Sequence, residues 1–104
     1  TFCPIGPWIQ LGTPEDLATP RQIQCWVDDE LRQDSSTGDM LFHIPKLVSF
    51  VSNIMTLLPG DIIATGTPSG VGPLVDGQTV RMEVEGIGRL INPVVNREDR
   101  CSLS

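Results

Sequence analysis

Residues 59–72 read PGDIIATGTPSGVG, and this stretch is the most specific part of the chain. The apolar run at 61–64 predicts a short β-strand, and the three glycines and one proline of 65–72 predict a loop after it. Glycines permit positive φ angles and a close approach of the main chain to a ligand. Successive backbone N–H groups in such a loop can bind an anionic oxygen. The hydroxyls of Thr65, Thr67 and Ser69 add donors and acceptors.

On these residues alone, two interpretations of the loop stay open. It can be a tight structural turn, or it can bind a carboxylate or enolate oxygen. The loop lacks the Lys-Ser/Thr pair of a phosphate-binding P-loop, and no helical pattern follows it. The same lack of a following helix excludes a dinucleotide-binding fingerprint.

Two helices are predicted upstream of this stretch. Apolar residues recur at 44, 47, 48, 51, 54, 55 and 58, which is the spacing of one amphipathic helix. Pro45 suits its first turn, and Pro59-Gly60 predicts its end. A short helix is also predicted after Thr13, because a capping threonine, a proline and two acidic residues follow one another there.

Strands are predicted where apolar and polar residues alternate. Ile23, Cys25 and Val27 share one face of 21–27, which is joined through an Asp28-Asp29 turn to a return strand at 30–33. Val80, Met82 and Val84 are expected on the inward face of 79–85. Brief strands are expected at 40–42 and 89–95, the latter at a sheet edge or bulge because Pro93 lies near its end. The pattern predicts a mainly β fold with one or two helices, rolled or sandwich-like rather than a parallel α/β sheet.

Composition narrows the class of protein. A chain of 104 residues is one domain at most and can bury only a modest core. The net charge of −6 disfavours nucleic-acid binding, because no basic face can neutralise phosphates. No run of 18 apolar residues exists, so no membrane span is expected.

The cysteines indicate a reducing compartment. Cys3, Cys25 and Cys101 form neither a CxxC pair nor a zinc pattern, and their number is odd. No secretory leader opens the sequence. We therefore expect a cytoplasmic protein, or a mitochondrial one in a eukaryote.

Residues 59–72 resemble the signature of the fumarylacetoacetate hydrolase family, PGD-x-I-x-TGTP-x-GVG. Further matches follow in the family's order: TF-x-P-x-GP at 1–7, Q-x-x-x-T-x-x-M at 33–40, the helix after it at 41–52, and a glycine-containing pair of strands at 77–92. Departures from the family pattern at Asp28-Asp29 and Gln78 fall on turns. The resemblance implies the family's C-terminal fold, a mixed β-sandwich roll that is incomplete here. Residues 1–104 would be a single partial catalytic domain, with a polar tail at 96–104.

The resemblance implies part of a metal-dependent enzyme acting on 2-oxo or 1,3-diketo acids. In that family Mg²⁺, or else Mn²⁺ or Ca²⁺, polarises the keto oxygen and stabilises an enolate, leading to C–C hydrolysis, decarboxylation or isomerisation. Thr67 would contact the substrate carboxylate through its hydroxyl and backbone N–H, and Gly66 would also bind substrate. The family's metal ligands and its active-site lysine lie upstream of Thr1, so no catalytic residue or metal ligand is assigned to this chain. We expect the chain to be inactive alone and the full-length protein to be a homodimer.

Other polar and aromatic residues have simpler interpretations. Glu83-x-Glu85 is spelled like a metal-binding pair, but it lies in the family's late strand and is expected to face solvent. His43, near a helix start, is expected at the surface or in a cap, and Trp8 and Trp26 are expected to pack.

Two hypotheses compete with an enzyme part. One is a non-catalytic truncated paralogue that serves at most as a small carboxylate-binding or interaction module. The other is a plain structural β domain in which the glycine-rich loop is only a turn.

Overall fold

The computed structural model describes residues 3–98, so the predictions on Phe2, Cys101 and positions 99–104 of the polar tail lie outside the described residues. The elements are α1 (Pro14–Ala18), β1 (Gln22–Val27), β2 (Glu30–Ser36), a 3₁₀ turn (Thr37–Asp39), α2 (Ile44–Ile54), β3 (Thr79–Val84) and β4 (Gly88–Pro93). The strands form one sheet in the order β2-β1-β3-β4, and all neighbours are antiparallel. The predicted mainly β fold with two helices is confirmed.

The β1–β2 hairpin turns at Asp28, which has a φ of 53°. Aspartate tolerates this left-handed conformation better than most residues. Asp28 also binds β3, because its Oδ1 accepts from the Thr79 N–H at 2.9 Å and its own N–H donates to the Thr79 carbonyl at 2.8 Å. The turn thus fixes the hairpin and its register against the third strand.

A β-bulge lies in the middle of this hairpin. Cys25 pairs with Gln33, whereas the next residue, Trp26, pairs with Leu31. Arg32 is therefore the extra residue of β2. A bulge interrupts the alternation of side chains and can aim two successive residues at one target.

One face of the sheet is apolar, and it holds the small core. Cross-strand partners on this face are Cys25 with Met82 and Val27 with Val80. Cys25 and Val27 are buried, together with the polar Gln33. Met82 lies on this face as predicted, although 42% of it is exposed. The two helices pack mainly on each other and make at most minor contacts with the strands.

The amphipathic helix is confirmed, but it is shorter than predicted. α2 begins after His43, which makes no side-chain cap hydrogen bond, and has Pro45 in its first turn. It ends at Ile54, because Met55 is already extended (φ −141°, ψ 155°), and not at Pro59-Gly60. α1 follows Thr13 as predicted, with a capping box between Thr13 and Asp16. Hydrogen bonds from the Thr13 backbone and hydroxyl lower the pKa of Asp16.

Two short apolar strands that were predicted do not form. Residues 61–64 are not paired with any strand among residues 3–98, and Ile62 is 70% exposed. Residues 40–42 follow the 3₁₀ turn without entering the sheet. A strand needs a partner edge as well as an apolar sequence, and neither segment pairs with an edge of the described sheet.

The longest helix found between residues 3 and 98 has 11 residues. No helix in this range combines the length and the apolar character that a membrane crossing needs.

The thiols of Cys25 and Cys3 differ in reactivity according to this fold. Burial raises the pKa of the Cys25 thiol, although the nearby Arg32 acts in the opposite direction, whereas Cys3 is exposed. In protein carrying Cys101→Ser, we expect iodoacetamide at pH 8 to alkylate Cys3 at least about tenfold faster than Cys25, because only an accessible thiolate reacts. Mass spectrometry of timed samples measures both rates. Equal rates in folded protein would contradict the assigned core, and equal rates in urea are the control.

Candidate functional site

The glycine-rich loop, residues 65–73, is attached to β2 by the side chain of Gln33. The Gln33 Nε2 donates to the Thr67 Oγ1 at 2.8 Å and to the Pro68 carbonyl at 2.8 Å. Gln33 is buried, so water competes little for these two bonds. The loop therefore has a fixed position on the sheet at the residues that sequence analysis selected.

Arg32 and Gly70 provide a second attachment. The Arg32 Nη1 donates to the Pro73 carbonyl at 3.1 Å. Gly70 has a φ of +106° and lies directly on the Arg32 carbonyl, where a Cβ would collide with the backbone. Because Arg32 is the bulged residue of β2, its side chain and that of Gln33 both reach the same loop.

The direction of the hydrogen bond at Thr67 determines what its hydroxyl can do. The Thr67 oxygen accepts from Gln33, so the hydroxyl proton must point to another acceptor. The residue is exposed, and Gly66 beside it has a φ of +93° with no neighbouring atom within 4 Å of the position a Cβ would take. A carboxylate can thus approach the backbone at Gly66 and accept from the Thr67 hydroxyl.

Thr67 and Gly66 border a cleft of about 360 Å³. The loop forms one wall, and the end of β2, the 3₁₀ turn and the start of α2 form the other. The remaining lining residues are Ile23, Ser35, Ser36, Thr37, Asp39, Met40, Leu41, Phe42, Leu47, Thr65 and Pro68. The cleft therefore has hydroxyl groups at the loop and apolar side chains toward α2.

Asp39 carries the one carboxylate in this lining, and its Oδ2 already accepts two hydrogen bonds. The Asp39 Oδ2 accepts from the Ser36 N–H at 3.1 Å and from the Ser35 hydroxyl at 3.1 Å. The Ser36 hydroxyl in turn accepts from the Gly38 N–H at 3.0 Å. These bonds make Asp39 a cap of the 3₁₀ turn and hold the wall opposite the loop.

The other carboxylates considered in the sequence lie away from the cleft. Glu83 pairs with Arg89 at 3.2 Å across β3 and β4. Glu85 accepts from the Gln22 N–H at 3.1 Å. Within residues 3–98 there is no group of three or more His, Cys, Asp or Glu that could hold a metal ion. The described residues therefore supply no metal centre of their own; Glu83 lies in β3, and Glu85 directly follows it.

The histidine and the tryptophans also lie outside the cleft lining. His43 precedes α2 and is exposed. Trp26 packs under the Arg81 guanidinium, 4.4 Å from the ring centre. Trp8 lies over Gly88 and donates its indole N–H to the Ile87 carbonyl at 2.9 Å, although 56% of it is exposed.

The attachment of the loop by β2 was not foreseen. Gln33 belongs to a stretch that resembles the family, but nothing in the pattern indicates its partner, because 34 residues separate it from Thr67. The role of Arg32 depends on the bulge, which period-two alternation does not reveal.

A family model for the C-terminal part of fumarylacetoacetate (FAA) hydrolase matches residues 1–95. The chain is 46% identical over 99 residues to the 4-hydroxyphenylacetate degradation bifunctional isomerase/decarboxylase of Salmonella dublin. The alignment covers 91% of this chain and 22% of that protein. It is 49% identical over 89 residues to a mitochondrial oxaloacetate tautomerase of Oryza sativa subsp. japonica. That alignment covers 84% of this chain and 38% of the tautomerase.

A solved structure is also similar to this chain in sequence and in fold. Maleylpyruvate hydrolase from Sphingobium sp. SYK-6, in complex with manganese(II) ion and pyruvate, superimposes with a TM-score of 0.82 at 47% identity. The superposition covers 90% of this chain and 36% of that one. The chain thus spans well under half the length of the proteins it matches.

Gly70→Ala tests the docking of the loop. Any side chain at the φ of Gly70 costs about 1–2 kcal/mol, and the collision with the Arg32 carbonyl should add about 1–3 kcal/mol of overpacking. Gly77→Ala is the matched control, because Gly77 also has a positive φ (+85°) but open space around it. Urea denaturation should show the larger loss of unfolding free energy for Gly70→Ala. Equal losses would mean that the loop does not rest on Arg32.

Proposed function

Because this chain belongs to the fumarylacetoacetate hydrolase family, we propose that it supplies the substrate-carboxylate site of an enzyme acting on 2-oxo or 1,3-diketo acids. Named relatives include an isomerase/decarboxylase, an oxaloacetate tautomerase and a maleylpyruvate hydrolase. Oxaloacetate and maleylpyruvate, the compounds that two of these names contain, both carry a carboxylate next to a keto group. The reaction of the complete enzyme is accordingly C–C hydrolysis, decarboxylation or isomerisation through an enolate.

The observation that carries this proposal is the geometry at Thr67. Gln33 donates to its oxygen, so the proton of the Thr67 hydroxyl remains for the substrate. A carboxylate between this hydroxyl and the Thr67 backbone N–H would receive two hydrogen bonds. Gly66 permits the approach, because it has no Cβ to block it.

The role of this chain in the reaction is binding and orientation. Fixing the carboxylate end positions the keto carbon relative to groups that act on it, which lowers the entropic part of the barrier. The apolar side of the cleft, near Phe42 and Leu47, would exclude water from one flank of the substrate. Ligands for a divalent ion would come from residues outside this chain, in line with the manganese-bound maleylpyruvate hydrolase structure.

The metal ion, the oligomeric state and the cellular location stay predictions for the complete enzyme. Mg²⁺ as the physiological ion is one, and a homodimer is another. A cytoplasmic or mitochondrial location is a third, and the Oryza sativa relative is mitochondrial by name.

Thr67→Val removes the hydroxyl and keeps the shape of the side chain. A hydrogen bond to a charged group contributes about 1.5–3 kcal/mol, so we expect the complete enzyme to bind pyruvate about ten- to a hundredfold more weakly in the presence of Mn²⁺. Isothermal titration calorimetry measures the dissociation constant. Thr67→Ser should restore most of the affinity.

Thr79→Val is the control for the same chemical change away from the cleft. Thr79 begins β3, and its backbone rather than its side chain binds Asp28. It should leave pyruvate affinity unchanged. Unaltered affinity in Thr67→Val as well would remove the basis of the proposal and favour a purely structural turn.

Residues 1–104 alone should show no metal-dependent activity. We expect no acceleration of oxaloacetate tautomerisation by this chain with Mn²⁺ or Mg²⁺, measured by ultraviolet absorbance of the enol, because no metal ligand set exists among residues 3–98. The complete enzyme is the positive control. Metal-dependent turnover by the 104 residues would contradict the assignment of the metal centre to other parts of the protein.

A further inference from the structure

We propose that Gln33 is a positioning residue, which sets the direction of the Thr67 hydroxyl and so determines the affinity for the substrate carboxylate. The inference rests on the proposed function, since it assigns a cause to the binding by Thr67. Gln33 is absent from the residues that line the cleft. It acts from behind the loop, through Thr67, and does not touch the substrate.

The orientation of the Gln33 amide follows from its two partners. The Pro68 carbonyl can only accept a hydrogen bond, so the Gln33 atom facing it at 2.8 Å must be the amide nitrogen. The same nitrogen lies 2.8 Å from the Thr67 Oγ1. An amide nitrogen has two protons and accepts none, so both protons are used and Thr67 must accept.

The hydrogen bond from Gln33 limits the directions in which the Thr67 hydroxyl can point its proton. A free threonine hydroxyl rotates and can donate to any nearby acceptor, including a carbonyl of its own loop. Once its oxygen accepts from Gln33, the rotations that point the proton back toward Gln33 are excluded. The proton is left for the cleft, and less rotational freedom is lost when a carboxylate binds.

Burial of Gln33 and a second attachment of the loop, through Arg32, stabilise this arrangement. The side chain is buried, and the adjacent Arg32 holds the far end of the loop through the Pro73 carbonyl at 3.1 Å. We therefore expect the loop to keep its place through Arg32 and Gly70 when the Gln33 bonds are altered. This second attachment allows the effect on the hydroxyl to be separated from the effect on loop position.

Two substitutions test the direction of the bond in the complete enzyme. Gln33→Met keeps the length and removes both donors, and we expect about tenfold weaker binding of pyruvate with Mn²⁺. Gln33→Glu keeps the shape but places a carboxylate that accepts from the Thr67 hydroxyl, turning its proton away from the cleft, and leaves the Pro68 carbonyl without its donor. The glutamate variant should bind pyruvate more weakly than the methionine variant, and it carries the test alone if Gln33→Met does not fold.

Gln24→Met is the matched control. Gln24 lies in β1, pairs in the sheet with Asp34 and Glu83, and does not line the cleft. It should leave the dissociation constant of pyruvate unchanged. Thermal unfolding of each variant shows how much of any effect is a general loss of stability.

A double-mutant cycle with Thr67→Val decides between positioning and scaffolding. If Gln33 acts through the hydroxyl, Gln33→Met should have almost no further effect on pyruvate affinity once Thr67 is valine. An equal loss in both backgrounds would overturn the inference, since Gln33 would then act on loop structure alone. No loss from Gln33→Met in the wild-type background would overturn it too.

The cycle also separates the two proposals. Weaker binding in Thr67→Val together with an unaffected Gln33→Met variant would leave the proposed function intact and reject the positioning role. Unchanged binding in Thr67→Val would reject the carboxylate site itself, whatever Gln33 does.

Discussion

The contact of residues 65–73 with the bulged part of β2 is the constraint on which the site depends. Gly70 lies on the Arg32 carbonyl, and the two protons of the Gln33 amide hold Thr67 and Pro68. A loop without regular structure has many conformations, and each fixed residue costs about 1–2 kcal/mol of entropy. The contacts with a hydrogen-bonded sheet offset that cost and give the hydroxyl of Thr67 a defined position.

The sheet that supports this loop has a small core. Only Cys25 and Val27 are buried apolar residues within 3–98, whereas Phe50, Ile54 and Ile62 expose 64%, 64% and 70% of their surfaces. The apolar stripe of α2 is only partly covered by the described residues, because Ile44, Leu47 and Val51 are half-buried whereas Ile54 is exposed. Most relatives' length lies outside the matched region, and a chain of this size buries a limited share of its surface.

Local pattern predicted the elements that make their own hydrogen bonds or pair with a sequence neighbour. The helix capped by Thr13 and the hairpin through Asp28 formed as expected, because the deciding partners lie within a few residues. The predicted strands at 61–64 and 40–42 failed, since a strand requires an edge to pair with and the sequence does not say whether one is free. The helix end at Ile54 instead of Pro59 shows that the apolar stripe alone does not fix a boundary.

The residue pattern alone indicated the mainly β class, the glycine-rich loop and, through ordered matches along the chain, the family to which the chain belongs. It selected Thr67 and Gly66 as candidate substrate contacts. The direction of the Thr67 hydroxyl became evident only in the folded chain, because Gln33 is 34 residues away and lies next to the bulged Arg32. Such a bond depends on the packing of two segments that are distant in the chain. The spacing of residue types within either segment does not predict it. Residues 61–64 form no strand, and the loop that follows them is held on β2 by Arg32 and Gln33.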